Sequence, residues 1–177
     1  MIRPYTMNDG SILFFGAEKE HENPLWLPTN IVPEDIIMEH FEVEAIETQI
    51  EVVDTKLEEI VKGFPFKSSR LADLAIAVSE AVSNAIRHGS NCGKHKVGIN
   101  VMHIPKVMLF VGITDDAGKI DIKNINLEVS ETFTTDDCGR GFLVMTHLSS
   151  VLAYLPDDTS GSKFKEILIG LEPLGKV

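Results

Sequence analysis

The pattern of apolar and charged residues becomes regular near residue 39. Residues 41–45 alternate between apolar side chains and glutamates, a period of two that predicts a half-exposed strand. Apolar residues then recur at helical spacing over 46–60, and Gly63 and Pro65 predict where that helix ends. A second helix is predicted over 68–89, because its apolar residues fall three or four positions apart.

The second half of the chain returns to strand-like patterns. Two alternating runs, 97–101 and 107–113, predict a hairpin, and the apolar segment 142–148 after two glycines predicts a helix. Residues 151–155 and 163–171 predict a last hairpin. This order of elements predicts an α+β fold, a two-layer α/β sandwich in which a mostly antiparallel sheet carries helices on one face.

The first 38 residues have a different character. Residues 11–15 form a short apolar run of strand length, and the prolines at 24, 28 and 33 exclude a regular helix after it. We therefore divide the chain into an N-terminal extension or arm, 1–38, and a domain, 39–177. Two interpretations of the arm stay open: an extra strand with a segment laid over the domain, or a partner or dimer contact through Trp26.

Composition narrows the classes of partner. The chain has 177 residues, is 44% hydrophobic and has a formal charge of −11, which suits a folded domain without a basic face for nucleic acid or anionic membranes. No apolar run is long enough for a membrane span. The two cysteines lack the spacing of a zinc site and fit reduced thiols. We expect a cytoplasmic protein that binds neither nucleic acid nor membrane.

The second predicted helix carries a polar stripe. Glu80, Asn84 and His88 follow one another at intervals of four residues, so in a regular α-helix they lie along one side, away from the centre of the apolar stripe. A solvated helix face would give the same pattern. The stripe by itself therefore leaves a structural and a functional interpretation open.

Three further short elements carry groups that suit a nucleotide. Asp115-Asp116-Ala117-Gly118 follows a predicted strand, where a carboxylate can accept a hydrogen bond from a ligand. Gly139-Arg140-Gly141 precedes a predicted helix, whose free N–H groups can bind phosphate. Gly161-Ser162 lies in the last hairpin. Each element alone also fits an ordinary turn.

Together and in this order, the elements resemble a known family. Residues 79–89 (SEAVSNAIRHG) look like the N-box of the GHKL, or Bergerat-fold, histidine-kinase-like ATPases. Asp116-Ala117-Gly118 resembles the start of their first glycine box and Gly139-Arg140-Gly141-Phe142 the second, while Gly161-Ser162 resembles a short element near the end. The resemblance covers about residues 39–171 and is strongest to the anti-sigma-factor serine/threonine kinases.

The resemblance implies roles for individual residues. Glu80 would be the general base, and Asn84 would hold Mg²⁺ at the phosphates of ATP. Asp116 would accept from the adenine amino group, although the adjacent Asp115 leaves this assignment open by one residue. Ile120 replaces the second glycine of the first box. The implied cofactor-binding set is Asn84, His88, Asp116, Gly118, Thr134, Thr135, Gly139, Arg140, Gly141, Phe142 and Ser162.

The implied activity is Mg·ATP-dependent phosphorylation of a serine or threonine on a small anti-anti-sigma (STAS-type) protein. The chain would also act as an anti-sigma factor by sequestering a sigma factor, and a homodimer is left open. An alternative is a nucleotide-gated binding module of the same fold without transfer activity. A metabolic enzyme on a similar sandwich would gain support only if ATP failed to bind.

Overall fold

Antiparallel strands form one layer of the fold. The computed structural model describes residues 4–6, 12–15, 36–89, 95–105, 108–115, 140–155 and 165–172. The strands are β1 (Pro4–Thr6), β2 (Ile12–Phe15), β3 (Ile37–Glu44), β4 (Lys96–Ile104), β5 (Met108–Asp115), β6 (Val151–Leu155) and β7 (Lys165–Leu171). They lie in the order β1-β2-β6-β7-β5-β4-β3, and every adjacent pair is antiparallel.

Helices form the second layer. A 3₁₀ turn (Glu47–Gln49) leads into α1 (Ile50–Val61), and Gly63 follows with a φ of 94°, the left-handed region that favours glycine. α2 spans Ser68–Asn84 and continues into a π-helical turn, Ala85–Gly89. α3 (Arg140–Leu148) packs against α2 and β6. Among the described helices, none combines the length and apolar composition that a membrane crossing requires.

The hydrophobic core lies between the helices and one face of the sheet. Alternate residues of each central strand point into it, as the period of two requires. Helix α2 contributes five completely buried residues, Leu74, Ala77, Val78, Ala81 and Val82, and Leu71 packs against them while partly buried. The principal core residues are Val53, Leu57, Leu74, Val78, Val82, Val97, Ile99, Val101, Leu109, Val111, Ile113, Ile167 and Ile169.

The predicted fold class is confirmed, with local differences. β1 was not predicted, and α2 gives way to a π-helical turn after Asn84 although an α-helix was expected to Gly89. β1 and β2 belong to the same sheet as β3–β7, while the division after residue 38 stays a prediction. The suggested short strand at 120–122 lies outside the described residues.

A buried histidine lies on the helix-facing side of β4, near the end of that strand. His103 is 5% exposed, and its ring stacks on Phe64 of the α1–α2 loop at 4.2 Å between centroids. Its Nδ1 atom is buried and has no hydrogen-bond partner among the residues that the structure describes. Burial lowers the pKa of the imidazole below its usual range. The rings of His103, Phe64 and Phe66 thus pack together at this end of the sheet.

Candidate functional site

Helix α2 presents two polar side chains beside its buried face. Glu80 and Asn84 are one turn apart and half-buried, while Val78, Ala81 and Val82 are completely buried against the sheet. The Ser79 hydroxyl donates to Asp54 Oδ1 of α1 at 2.7 Å, which fixes the rotation of α2 relative to α1 next to Glu80. The predicted placement of Glu80 and Asn84 on one side of a helix therefore agrees with the structure.

The first turn of α3 meets this pair. A Cβ atom built on Gly141 would lie 2.9 Å from both Glu80 Oε2 and Asn84 Nδ2. The carboxylate and the amide therefore flank one point on the backbone of α3, although α3 follows α2 by more than fifty residues. Phe142, the next residue, is buried at 6% exposure and anchors this turn in the core.

The chemistry of this junction suits an anion and a hard metal ion. The first N–H groups of a helix have no partner within the helix and carry the positive end of its dipole, so the start of α3 can bind phosphate oxygens. Asn84 supplies an amide oxygen, a ligand that Mg²⁺ accepts. The described residues contain no cluster of three or more histidine, cysteine or acidic side chains that could hold a metal without a ligand's help.

A buried carboxylate ends the central strand. Asp115 is the last residue of β5 and is 2% exposed. It shares the parity of Val111 and Ile113, which face the helices, so it lies on the same side of the sheet as α2. The π-helical turn after α2 contacts β5, which brings the end of α2 towards this strand. Extending the alternation of β5 by two residues would have predicted this burial from sequence.

The remaining predicted site residues are placed only in part. His88 lies in the π-helical turn, so the regular four-residue spacing of an α-helix does not extend from Asn84 to His88. Arg140 is the first residue of α3. The following predicted residues lie outside the described part of the chain: Asp116, Gly118, Thr134, Thr135, Gly139 and Ser162. Their roles stay predictions.

The contact of Gly141 with Glu80 and Asn84 was not predicted, because it joins two helices far apart in sequence. Its only local signal is a glycine in the first turn of a helix, where alanine would be the better helix former.

Comparison with known proteins agrees with this architecture. The family model of the histidine kinase-like ATPase domain matches residues 43–163. Anti-sigma F factors of Clostridium perfringens strains SM101 and 13 are each 32% identical over 97 residues, covering 52% of this chain and 68% of the relative.

A solved structure of the RsbU and RsbW domains of Rv1364c from Mycobacterium tuberculosis superposes with a TM-score of 0.55 at 17% identity. The match covers 77% of this chain but 32% of that one, and it supports the fold alone. The predicted family of the chain is confirmed. Because the family model spans more than half of its residues, this chain belongs to the histidine kinase-like ATPase domain family and has the GHKL, or Bergerat, fold.

Proposed function

We propose that this chain binds Mg·ATP and transfers the γ-phosphoryl group to a serine or threonine of a partner protein. The observation that carries the proposal is the junction of Glu80, Asn84 and the first turn of α3 around Gly141. It combines a candidate base, a candidate metal ligand and a phosphate-binding helix start. Phosphoryl transfer needs mainly positioning and charge neutralisation, and these three features supply both.

Asn84 is proposed to hold the Mg²⁺ ion through its amide oxygen. Magnesium prefers oxygen ligands and commonly takes one or two from the protein, with phosphates and water completing its shell. A single amide fits that donor set. The ion, when bound, would neutralise charge on the phosphates, while Gly139, Arg140 and Gly141 would contact the phosphate oxygens from the start of α3.

Glu80 is proposed to accept the proton of the attacking hydroxyl. The hydroxyl oxygen then bonds to the γ-phosphorus, the bond from that phosphorus to the bridging oxygen breaks, and ADP leaves. Glu80 is half-buried beside Asn84, so its carboxylate lies close to the metal ligand and to the start of α3. A nucleotide-binding module without transfer activity would not need a base there.

Two adjacent aspartates are candidates for the adenine amino group. The spacing to Gly118 supports Asp116, whereas the buried position of Asp115 on the helix-facing side of β5 supports Asp115. Gly118 is proposed to back the ring and Ser162 to hold its edge. Thr134 and Thr135 belong to the proposed lid, and His88 and Phe142 are the remaining residues proposed to bind the nucleotide.

The proposed partners follow from the relatives. The similar Clostridium perfringens proteins are named anti-sigma F factors, which supports a sigma factor as one partner of this chain. A STAS-type anti-anti-sigma protein is proposed as the phosphorylated partner, in the cytoplasm. The net charge of −11 suits contacts with basic protein surfaces rather than with nucleic acid.

The test is transfer of label from γ-labelled ATP to purified STAS-type proteins encoded beside this gene. We expect label on one of them with wild type, and none when the acceptor serine or threonine is replaced by alanine. Glu58→Gln on the exposed side of α1 serves as the matched control for Glu80→Gln. If the chain binds nucleotide but transfers phosphate to no partner, the kinase proposal fails and the nucleotide-gated binding module takes its place. If the chain binds no nucleotide, both proposals are refuted.

A further inference from the structure

Gly141 stands where local preference favours another residue. It is the second residue of α3, and glycine is a poorer helix former than alanine because it loses more backbone freedom on folding. The neighbouring residues Phe142 and Met145 are buried, so this turn is firmly packed. Something other than helix formation therefore accounts for glycine at this position.

The surroundings of Gly141 provide that reason. A Cβ atom would lie 2.9 Å from Glu80 Oε2 and from Asn84 Nδ2, and 3.6 Å from Asn84 Cγ. The first two distances are shorter than real Cβ contacts, so one partner has to shift. Both crowded atoms are at the ends of flexible side chains. Alanine would therefore displace the carboxylate and the amide rather than the helices.

We infer that Gly141 is a positioning residue: the absence of its side chain lets Glu80 and Asn84 lie together against the first turn of α3. This inference rests on the proposed function, since it concerns the base and the metal ligand of that site. It differs from a direct role of Gly141 in phosphate binding, because the effect is transmitted through two side chains of α2. Alanine at 141 is then compatible with folding but not with the site.

The experiment is a pair of double-mutant cycles on the full chain. Mg·ADP and metal-free ADP affinities are measured by calorimetry for wild type, Gly141→Ala, Asn84→Ala and the double variant. Label transfer is measured for wild type, Gly141→Ala, Glu80→Gln and their double variant. Gly170→Ala on β7 is the control for crowding away from the site. Its Cβ would lie 2.9 Å from Met108 Sδ and 3.1–3.2 Å from the Phe110 ring, both on the neighbouring strand β5.

We expect Gly141→Ala to keep the Tm of wild type or raise it, and to lose at least tenfold in transfer rate and in the gain in affinity that Mg²⁺ provides. The affinity for metal-free ADP should fall by a smaller factor than the affinity for Mg·ADP. In the Asn84→Ala background, Gly141→Ala should change the gain in affinity that Mg²⁺ provides by less than twofold. In the Glu80→Gln background, Gly141→Ala should lower the transfer rate by a smaller factor than it does in wild type, because only the displacement of Asn84 then remains. Gly170→Ala should keep both affinities and the transfer rate.

Three results would overturn the inference while leaving the proposed function intact. They are additive losses in either cycle, a loss of metal-free ADP affinity equal to the loss with Mg²⁺, and a Tm of Gly141→Ala well below that of wild type. The last would show that the two side chains cannot yield. Absence of nucleotide binding by wild type would instead refute the proposed function, and the inference with it.

Discussion

The buried imidazole of His103 makes the stability of this fold depend on pH in a predictable direction. Burial lowers its pKa in the folded state, so the folded chain holds the ring neutral at pH values where the unfolded chain is already protonated. The unfolded state then binds more protons, and stability rises with pH. Above the ordinary pKa of about 6.5, His103 is neutral in both states and its titration does not reduce the free energy of unfolding. As the pH falls from there towards the folded-state pKa, the free energy of unfolding decreases.

The size of the effect follows from linkage. While the folded ring stays neutral, each pH unit below the ordinary histidine pKa costs about 1.4 kcal/mol. His103→Phe keeps the stacking on Phe64 and removes the buried Nδ1 that lacks a partner. Since an unsatisfied buried polar atom costs about 1–3 kcal/mol, the variant should gain about 1 kcal/mol at neutral pH. At pH 5.5 its advantage should be larger by at most about 1.4 kcal/mol, because the unfolded wild type binds a proton there that the folded ring takes up less readily.

Urea unfolding of wild type and His103→Phe at pH 5.5 and pH 8.0 measures this directly. Glu166 titrates in the opposite sense, because burial raises its pKa, so its contribution is full at low pH and is lost as pH rises through its folded-state pKa. That contribution is common to both proteins and cancels in their difference. The reasoning would be refuted if the free energies of unfolding of the two proteins differed by the same amount at both pH values. It would also be refuted if the advantage of His103→Phe were smaller at pH 5.5 than at pH 8.0.

Three other outcomes test the site. Mg·ADP at a hundredfold excess over Kd should stabilise wild type by about 2.7 kcal/mol in thermal unfolding, and Asn84→Ala should lose most of the magnesium-dependent part while remaining folded. Glu80→Gln should bind ATP as wild type does but transfer phosphate at least tenfold more slowly, and transfer at the wild-type rate would remove Glu80 as the base. In calorimetry, whichever of Asp115→Asn and Asp116→Asn weakens ATP binding more, by about tenfold or more, identifies the adenine ligand, and equal small effects would exclude both.

Regular periodicity accounts for what could be predicted. The alternation in β4 and β5 and the helical spacing in α1 and α2 are local, so each element was recognisable from a dozen residues. Carried two residues further, the same alternation in β4 and β5 predicts that His103 and Asp115 face the core. No local pattern indicates the π-helical turn after Asn84. Strand β1 has three residues, too few for an alternating pattern to be recognised.

Departures from local preference concentrate at one end of the sandwich. A glycine in the first turn of α3, a carboxylate buried at the end of β5 and a π-helical turn after α2 each carry a cost that an ordinary core position would avoid. The register of β4 with β5 places His103 opposite Leu109. Leu109 precedes Asp115 by six residues on β5, so His103 lies about 20 Å from Asp115. His103 is a comparable departure without neighbouring catalytic groups, so replacing it should raise stability and leave nucleotide affinity unchanged. Replacing Gly141 should do the reverse, leaving stability intact and removing function. Measuring both variants in both assays separates a departure that the proposed activity requires from a departure in the core that it does not require.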